Sequence, residues 1–135
     1  MAFEAILGFT LKWEGGFGDD PHDPGGRTAF GITQRTFDSS GKRDVWKITV
    51  AERDAIYKQR YWDVLPPVED KLRMAAFDSG VNVGVARAIP WIEGSATWSD
   101  YLDKRQAYYD SRGTWADRYR KGWRNRVQAL RTFLT

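Results

Sequence analysis

Residues 13–32 read WEGGFGDDPHDPGGRTAFGI, and most of the remaining chain has the apolar spacing of helices. This stretch holds six glycines, two prolines and four carboxylates in twenty residues. Gly and Pro recur too often here for a helix interior or a buried strand, so the pattern predicts a loop. Loops of this kind, held by a rigid frame, are where binding and catalytic groups concentrate.

Glu14 stands where the first predicted helix meets this loop. Residues 3–13 have apolar side chains at helical spacing, and the two glycines after Glu14 offer a left-handed residue that ends a helix. Glu14 is therefore expected in the last turn or at the C-cap. The negative end of the helix dipole, with desolvation by Trp13 and Phe17, favours the protonated acid, which is the form that a general acid needs. From the helix alone, an ordinary exposed helix-end residue is the simpler interpretation.

Two further polar residues of the loop make a catalytic interpretation of Glu14 more attractive. Asp23 and Thr28 follow Glu14 by nine and fourteen residues. Hydrolysis of a glycosidic bond uses two carboxyl groups that flank the bond, one protonated and one ionised. Asp23 has polar and glycine neighbours, so it can remain solvated and charged while Glu14 keeps its proton.

The motifs of this loop resemble the opening motif of glycoside hydrolase family 108, the N-acetylmuramidases. The resemblance rests on Glu-Gly-Gly-Phe at 14–17, Asp-Pro at 20–21, and the run from Asp23 to Thr33. The spacing of Glu14, Asp23 and Thr28 is also similar, within one residue, to the Glu/Asp/Thr set of phage-type lysozymes. The resemblance continues over nearly the whole chain, through Ile48-Thr49, Tyr61-Trp62-Asp63, Phe77-Asp78, Val81-Asn82, Gly84, Arg87-Ala88-Ile89, Gly122-Trp123 and Arg126-Val127.

The resemblance implies a mainly α, lysozyme-like α+β fold, in which one small irregular or β-hairpin region carries the active site. It implies cleavage of the β-1,4 bonds between N-acetylmuramic acid and N-acetylglucosamine in bacterial peptidoglycan, with Glu14 as the catalytic acid. The further catalytic residues are expected to be Asp23 and Thr28, and the substrate-binding residues Asp20, Phe30 and Asn82. Whether Asp20 or Asp23 is the second carboxylate stays open.

Some positions depart from the pattern of that family. Phe17 and Phe30 stand where the family often has Tyr, and Asp19 stands where Asn is usual. The segment after Ile92 is shorter than in typical members, which often carry a presumed peptidoglycan-binding extension there. A second interpretation is therefore a wall-binding or virion structural protein that kept a lysozyme-like fold and lost turnover.

Length and composition restrict the possible chemistry. The 135 residues predict one domain, a single lysozyme-like catalytic unit over 1–135. The chain has no Cys and only one His, His22, which excludes disulfides, thiolate metal sites and multi-His metal centres. The spacing of Asp19, Asp20 and Asp23 is not that of an EF-hand loop. No metal or other cofactor is expected.

The N-terminal residues lack the basic region of a signal peptide, and no apolar run approaches the length of a membrane helix. We therefore expect a protein that does not insert into membranes and is made in the cytoplasm of the producing or host cell. We also expect it to be a monomer. It would reach the wall through a holin-type pore or on a phage particle.

The positive charge is concentrated at the end of the chain. Residues 101–135 hold nine Lys and Arg against three Asp, whereas the net charge of the whole chain is +3. Such an end can be attracted to anionic polymers, or it can be a solvated helix face. No nucleic-acid-binding motif accompanies the charge, so the expected partner is peptidoglycan and not nucleic acid.

Capping signals and periodicity predict the helices. Thr33 caps a short helix through about Ser39, and the capping box of Thr49 and Glu52 starts a helix to about Trp62. Further helices are expected from Val68 through the domain centre to Val83, over 85–92, and from a Ser99 cap to about Arg112.

In the last helix, starting at Thr114, the stripe Trp115, Tyr119 and Trp123 is predicted to be core. The helix from 49 to 62 is expected to bury Val50, Ile56, Tyr57 and Tyr61.

Overall fold

The computed structural model describes residues 1–18, 26–38 and 43–135. Over these residues the α-helices are α1 (Ala2–Trp13), α2 (Gln34–Asp38), α3 (Val50–Tyr57), α4 (Asp70–Val83), α5 (Val85–Ala88), α6 (Trp98–Asp110) and α7 (Asp117–Leu134). Short 3₁₀ turns cover Val45–Lys47, Pro90–Ile92 and Thr114–Ala116, and a π-helical turn, Lys58–Trp62, continues α3. The strands β1 (Phe17–Gly18), β2 (Thr28–Ala29) and β3 (Ile32–Thr33) form a small antiparallel sheet in that order. The predicted mainly helical fold with one small β-hairpin is confirmed.

The hairpin between β2 and β3 lies in the glycine-rich stretch. Ala29 pairs with Ile32, so only Phe30 and Gly31 form the loop, and both have positive φ angles, 53° and 80°. Two such residues in a two-residue loop make a type I′ turn, whose twist matches that of the strands. Asp19, Asp20, His22 and Asp23 lie outside the described residues.

Helix α4 occupies the centre of the domain, as the sequence predicts. It packs against α1, α5 and α6. Its buried residues are mostly small, which lets the neighbouring helices approach closely: Leu72, Ala75, Ala76, Phe77, Asp78, Ser79 and Gly80. Phe77 is fully buried and meets the ring of Phe3 edge-on at 5.7 Å. The α1–α4 contact thus fixes the helix that ends at Glu14.

A buried ionic cluster joins α1, α4, α6 and α7. Asp78 is fully buried; its carboxylate accepts hydrogen bonds from Thr10 Oγ1 at 2.7 Å, Arg105 Nη1 at 2.8 Å and Arg126 Nη2 at 2.8 Å. Burial alone raises the pKa of Asp78, but the two guanidinium groups outweigh burial and lower the pKa to about 2. Asp78 is therefore a charged centre on α4 to which three other helices are bonded.

Several helix boundaries and burials differ from the predictions. Helix α1 does not end on a left-handed glycine, because Glu14 itself turns to an extended conformation. The cap of α6 is Thr97, which forms a capping box with Asp100, so the predicted Ser99 cap is wrong. Val50 is exposed, because the first residue of α3 precedes the part that packs on the core.

The predicted core stripe of the last helix is also wrong in part. Trp115 is 64% exposed and Tyr119 is 47% exposed, and only Trp123 of the three is half-buried. The periodicity identified the shared face correctly, but the first half of this face is not covered by a neighbouring element.

Across the three described ranges, no helix combines the length and apolar character that crossing a membrane requires.

We predict that Asp78→Asn lowers the free energy of unfolding by about 3–5 kcal/mol, because it leaves the two buried guanidinium groups without their counter-charge. Urea unfolding followed by circular dichroism measures the change. The control is Asp103→Asn, which removes an ion pair between Arg131 and a largely exposed carboxylate. It should cost no more than about 1 kcal/mol. Equal urea midpoints for the two variants would contradict the role assigned to Asp78.

The lowered pKa of Asp78 also predicts a pH dependence. Because the pKa is lower in the folded state than the ordinary value of 3.8, the contribution is present above about pH 4 and is lost as the pH falls towards 2. Wild type should therefore lose about 2 kcal/mol more than Asp78→Asn between pH 5 and pH 2 in urea titrations. Parallel pH profiles for the two proteins would argue against this prediction.

Candidate active site

Glu14 is the C-cap of α1, as the sequence predicts. Its backbone N–H donates to the Thr10 carbonyl at 3.1 Å, and its φ and ψ of −87° and 123° turn the chain away from the helix. The side chain is 22% exposed, so it reaches solvent although protein surrounds most of it. Trp13 and Phe17, which were expected to desolvate it, are 40% and 62% exposed. The groups close to the carboxyl are instead Gly31, Tyr57 and Arg126.

A pocket of about 90 Å³ lies beside Glu14. This volume holds several water molecules. The walls come from the β3 region, α2, α3 with its π-helical turn, and α4, and all of these except α4 contribute a hydroxyl group. The residues that line it with Glu14 are Gly31, Ile32, Thr33, Thr36, Ile56, Tyr57, Tyr61 and Val81.

The type I′ turn brings backbone directly against the carboxyl group. A Cβ atom placed on Gly31 would lie 3.2 Å from Glu14 Oε2 and 2.9 Å from the Tyr57 hydroxyl. Only glycine fits this position, both because of this approach and because of its positive φ. The Tyr57 hydroxyl donates to the Phe30 carbonyl and so ties the turn to α3.

The environment keeps Tyr57 protonated. Burial raises the pKa of its hydroxyl, and the negative charge of Glu14 raises it further. Tyr57 is therefore a hydrogen-bond donor throughout the neutral range. Its role in the site is to hold the turn against Glu14.

Arg126 connects Glu14 to the buried cluster. Its Nη1 lies 3.3 Å from Glu14 Oε1, while its Nη2 and Nε bond to Asp78 at 2.8 and 3.1 Å. The guanidinium group is thus positioned mainly by Asp78 and presents its remaining edge to Glu14. With Arg105, the buried charges balance when Glu14 is ionised. Arg126 belongs to one of the motifs that carry the family resemblance, but its contact with Glu14 joins residues far apart in the chain and has no signal in the sequence.

Thr28 lies at the edge of this arrangement. It is paired with Thr33 across the sheet, so the two side chains share a face, and Thr33 lines the pocket. The Thr28 carbonyl accepts a hydrogen bond from Trp46 Nε1 at 3.1 Å. Thr28 is thus next to the pocket wall and is not one of the residues that line it.

The remaining predicted site residues lie in different places. The ring of Phe30 packs against Phe17 at 5.7 Å, with the Arg53 guanidinium 4.9 Å from its centre, and only the Phe30 backbone faces Tyr57. Asn82 accepts a hydrogen bond from the Tyr109 hydroxyl and lines a separate groove. Asp20 and Asp23 fall in the part of the loop that the structure does not describe, so the second carboxylate stays a prediction.

The family profile described as Glycosyl hydrolase 108 matches residues 7–84. The chain belongs to glycosyl hydrolase family 108. The match contains Glu14, the sheet, the pocket residues and Asn82, and it ends at the glycine that follows α4. The family resemblance deduced from the loop motifs is confirmed, and family membership makes the chain a glycoside hydrolase by descent.

A solved structure shows that the likeness continues beyond the family-108 match. The structure of Brucella abortus SagA is similar to this chain with a TM-score of 0.72 and 27% sequence identity, over 98% of this chain and 92% of SagA. Helices α5 to α7 therefore belong to the shared fold. No protein with a curated description matches the sequence.

We predict that Gly31→Ala destabilises the protein in two ways. The alanine is strained at a positive φ, and its Cβ atom also collides with Tyr57 and Glu14. Gly84→Ala is the matched control, because Gly84 also has a positive φ but no atom lies within 4 Å of its added Cβ. Gly31→Ala should lose about 1–3 kcal/mol more stability than the control, through forced displacement of Tyr57 and Glu14. It should also lose at least about 10-fold more glycoside hydrolase activity. Equal losses would show that the turn does not position Glu14.

Proposed function

We propose that this chain is an N-acetylmuramidase that hydrolyses the β-1,4 bonds between N-acetylmuramic acid and N-acetylglucosamine in bacterial peptidoglycan. The observation that carries the proposal is the position of Glu14. Its carboxyl group lies at a helix end between the turn at Gly31 and the guanidinium group of Arg126, and it is partly exposed to solvent. Membership of family 108 supports glycoside hydrolysis as the reaction class.

In this mechanism Glu14 donates a proton to the glycosidic oxygen as the bond breaks. The carboxylate left on Glu14 then faces Arg126 at 3.3 Å, and the charges of Glu14, Asp78, Arg105 and Arg126 balance in that state. The network around Asp78 holds Arg126 in place, so that it does not have to reorganise during the reaction.

The opposing charge would come from the loop. Asp23 either stabilises the oxocarbenium-like transition state or orients the attacking water, and Asp20 is the alternative carboxylate. Thr28, beside the pocket wall, would help to place that water. A separation of about 6.5–9.5 Å between the carboxyl groups gives inversion of the anomeric centre, and about 5–5.5 Å gives retention.

The biological setting that best fits a wall hydrolase of this kind is a phage endolysin or a virion-associated lysozyme. We propose that the protein acts as a monomer, after holin-type release from the cytoplasm or delivery on a virion. Expression in a bacterial host with and without a membrane-pore protein tests the first route. Lysis only in the presence of the pore is the expected result, and lysis without it would contradict that route.

We predict that Glu14→Gln reduces the release of reducing ends from purified peptidoglycan by about 10²–10⁴-fold, the usual contribution of a general acid. Glu93→Gln, which removes the same charge from an exposed position, should retain wild-type activity. Thermal unfolding of both variants serves to confirm that they fold. Undiminished activity of a folded Glu14→Gln protein would remove Glu14 from the mechanism. If wild type sediments with peptidoglycan but never releases reducing ends, the protein is a wall-binding protein and the proposal fails.

The two candidates for the second carboxylate can be separated by paired variants. Asp23→Asn should lower kcat by about 10²-fold or more, because the transition state loses its facing charge. Asp20→Asn should mainly raise KM, as expected for a residue that binds substrate. The reverse pattern would exchange the two roles. Nuclear magnetic resonance identifies the anomer of the first-formed product. Inversion would indicate a carboxyl separation of about 6.5–9.5 Å, and retention one of about 5–5.5 Å.

A further inference from the structure

An open groove of about 200 Å³ lies outside the pocket of Glu14. Its walls are aromatic and carry two polar groups. We call it the aromatic groove and define it by Asn82 and Arg87 with the rings of Tyr108, Tyr109, Trp115 and Trp123.

The rings of the groove run from the core to the surface. Trp123 stacks on Tyr109 with 4.7 Å between centroids and an interplanar angle of 18°, and Tyr119 stacks on Trp123 at 5.8 Å and 24°. Tyr109 is buried and its hydroxyl is bonded to both Asn82 and Arg105, so the stack is anchored to the central cluster. Trp115 remains 64% exposed. Large exposed rings held this rigidly mark a binding surface.

Positive charge flanks the platform. The guanidinium groups of Arg87 and Arg112 lie 4.5 and 4.3 Å from the centre of the Tyr108 ring. Their hydrogen bonds go to backbone carbonyls and to Ser111, and among the residues that the structure describes no carboxylate forms an ion pair with either. The groove thus combines flat apolar faces with two cations that have no ion-pair partner among the described residues. An occupant with apolar faces and carboxylates would complement both features.

The aromatic groove adjoins the site of Glu14. Val81 lines the pocket beside Glu14, and the next residue of α4, Asn82, lines the groove. On α7, Trp123 lines the groove, and Arg126, one turn later, contacts Glu14. Three residues of helix span about 4.5 Å along the axis, so a polymer bound at Glu14 could continue into the groove.

We propose that the aromatic groove is a subsite for the acidic wall glycan strand. An N-acetylhexosamine ring packs on the exposed ring of Trp115, and Arg87 binds a carboxylate of the peptide attached to the muramyl sugar. This inference rests on the proposed function, because it assigns part of the same substrate to a second region of the protein. It adds a specificity for peptide-bearing glycan that the pocket at Glu14 does not supply.

Binding titrations with three soluble probes test the subsite. The probes are glycan fragments of several disaccharide units that carry stem peptides, the same fragments after an amidase has removed the peptides, and neutral chito-oligosaccharides of equal length. The variants are Trp115→Ala and Arg87→Ala. Phe133→Ala, on α7, is the control for loss of an exposed ring outside the groove, and Arg124→Ala is the control for loss of one positive charge from an exposed position.

Trp115→Ala is expected to weaken the affinity for all three probes by about 10-fold, since stacking on a ring contributes on the order of 1–3 kcal/mol and is indifferent to charge. Arg87→Ala is expected to weaken only the peptide-bearing fragments, by about 5–10-fold, because a single charged contact is lost. Both controls should bind like wild type. Affinities of Trp115→Ala and Arg87→Ala equal to those of the controls would overturn the proposal.

Activity measurements separate a failure of the subsite from a failure of the proposed function. If wild type releases reducing ends and the groove variants have unchanged KM and affinity, the subsite proposal is wrong but the proposed muramidase function is retained. If wild type releases none but the groove variants lose affinity, the subsite stands on a wall-binding protein. If the wild-type protein self-associates in sedimentation and Trp115→Ala abolishes this, the groove binds a second copy of the chain and the glycan assignment is overturned.

Discussion

The structure depends on one buried charge. Asp78 sits in the middle of the central helix, out of reach of water, and its carboxylate is tolerated there because Thr10, Arg105 and Arg126 bond to it. These partners come from α1, α6 and α7, so a single group fixes the relative positions of four helices. Replacing such a cluster with apolar residues could give equal stability, but would not position a guanidinium group. The gain here is geometric: Arg126, bonded to Asp78 on one edge, points its other edge at Glu14.

Two candidate functional regions are connected to this cluster. Through Arg126 the cluster reaches Glu14, where the Phe30-Gly31 turn and Tyr57 close the other side of the carboxyl group. Through Arg105 it reaches the Tyr109 hydroxyl and, from there, Asn82 and the aromatic stack. Glu14 and the aromatic groove are therefore both connected to the Asp78 cluster. Under the proposed function this arrangement would favour catalysis, because a substrate strand held in the groove is also held in position at Glu14.

The sequence predicted the parts of this arrangement that depend on local chemistry. Thr49 and Glu52 predicted the start of α3, and the end of α1 was predicted within the last turn, because caps and apolar spacing are encoded by neighbouring residues. The contact between Glu14 and Arg126 could not be predicted, since it joins helices at opposite ends of the chain. Phe30 takes a positive φ that its residue type disfavours, and tertiary contacts impose it. The exposed face of α7 was predicted to be core because periodicity reveals which residues share a face and not what covers that face.

We propose that Glu14 and the aromatic groove bind one glycan strand, held in position by the cluster around Asp78. A crystal structure of the Glu14→Gln protein with a peptide-bearing glycan fragment tests this most directly. We expect a glycosidic oxygen within hydrogen-bonding distance of the residue 14 side chain, with the strand continuing over Trp115. A strand bound on another face, with residue 14 contacting only solvent, would contradict it.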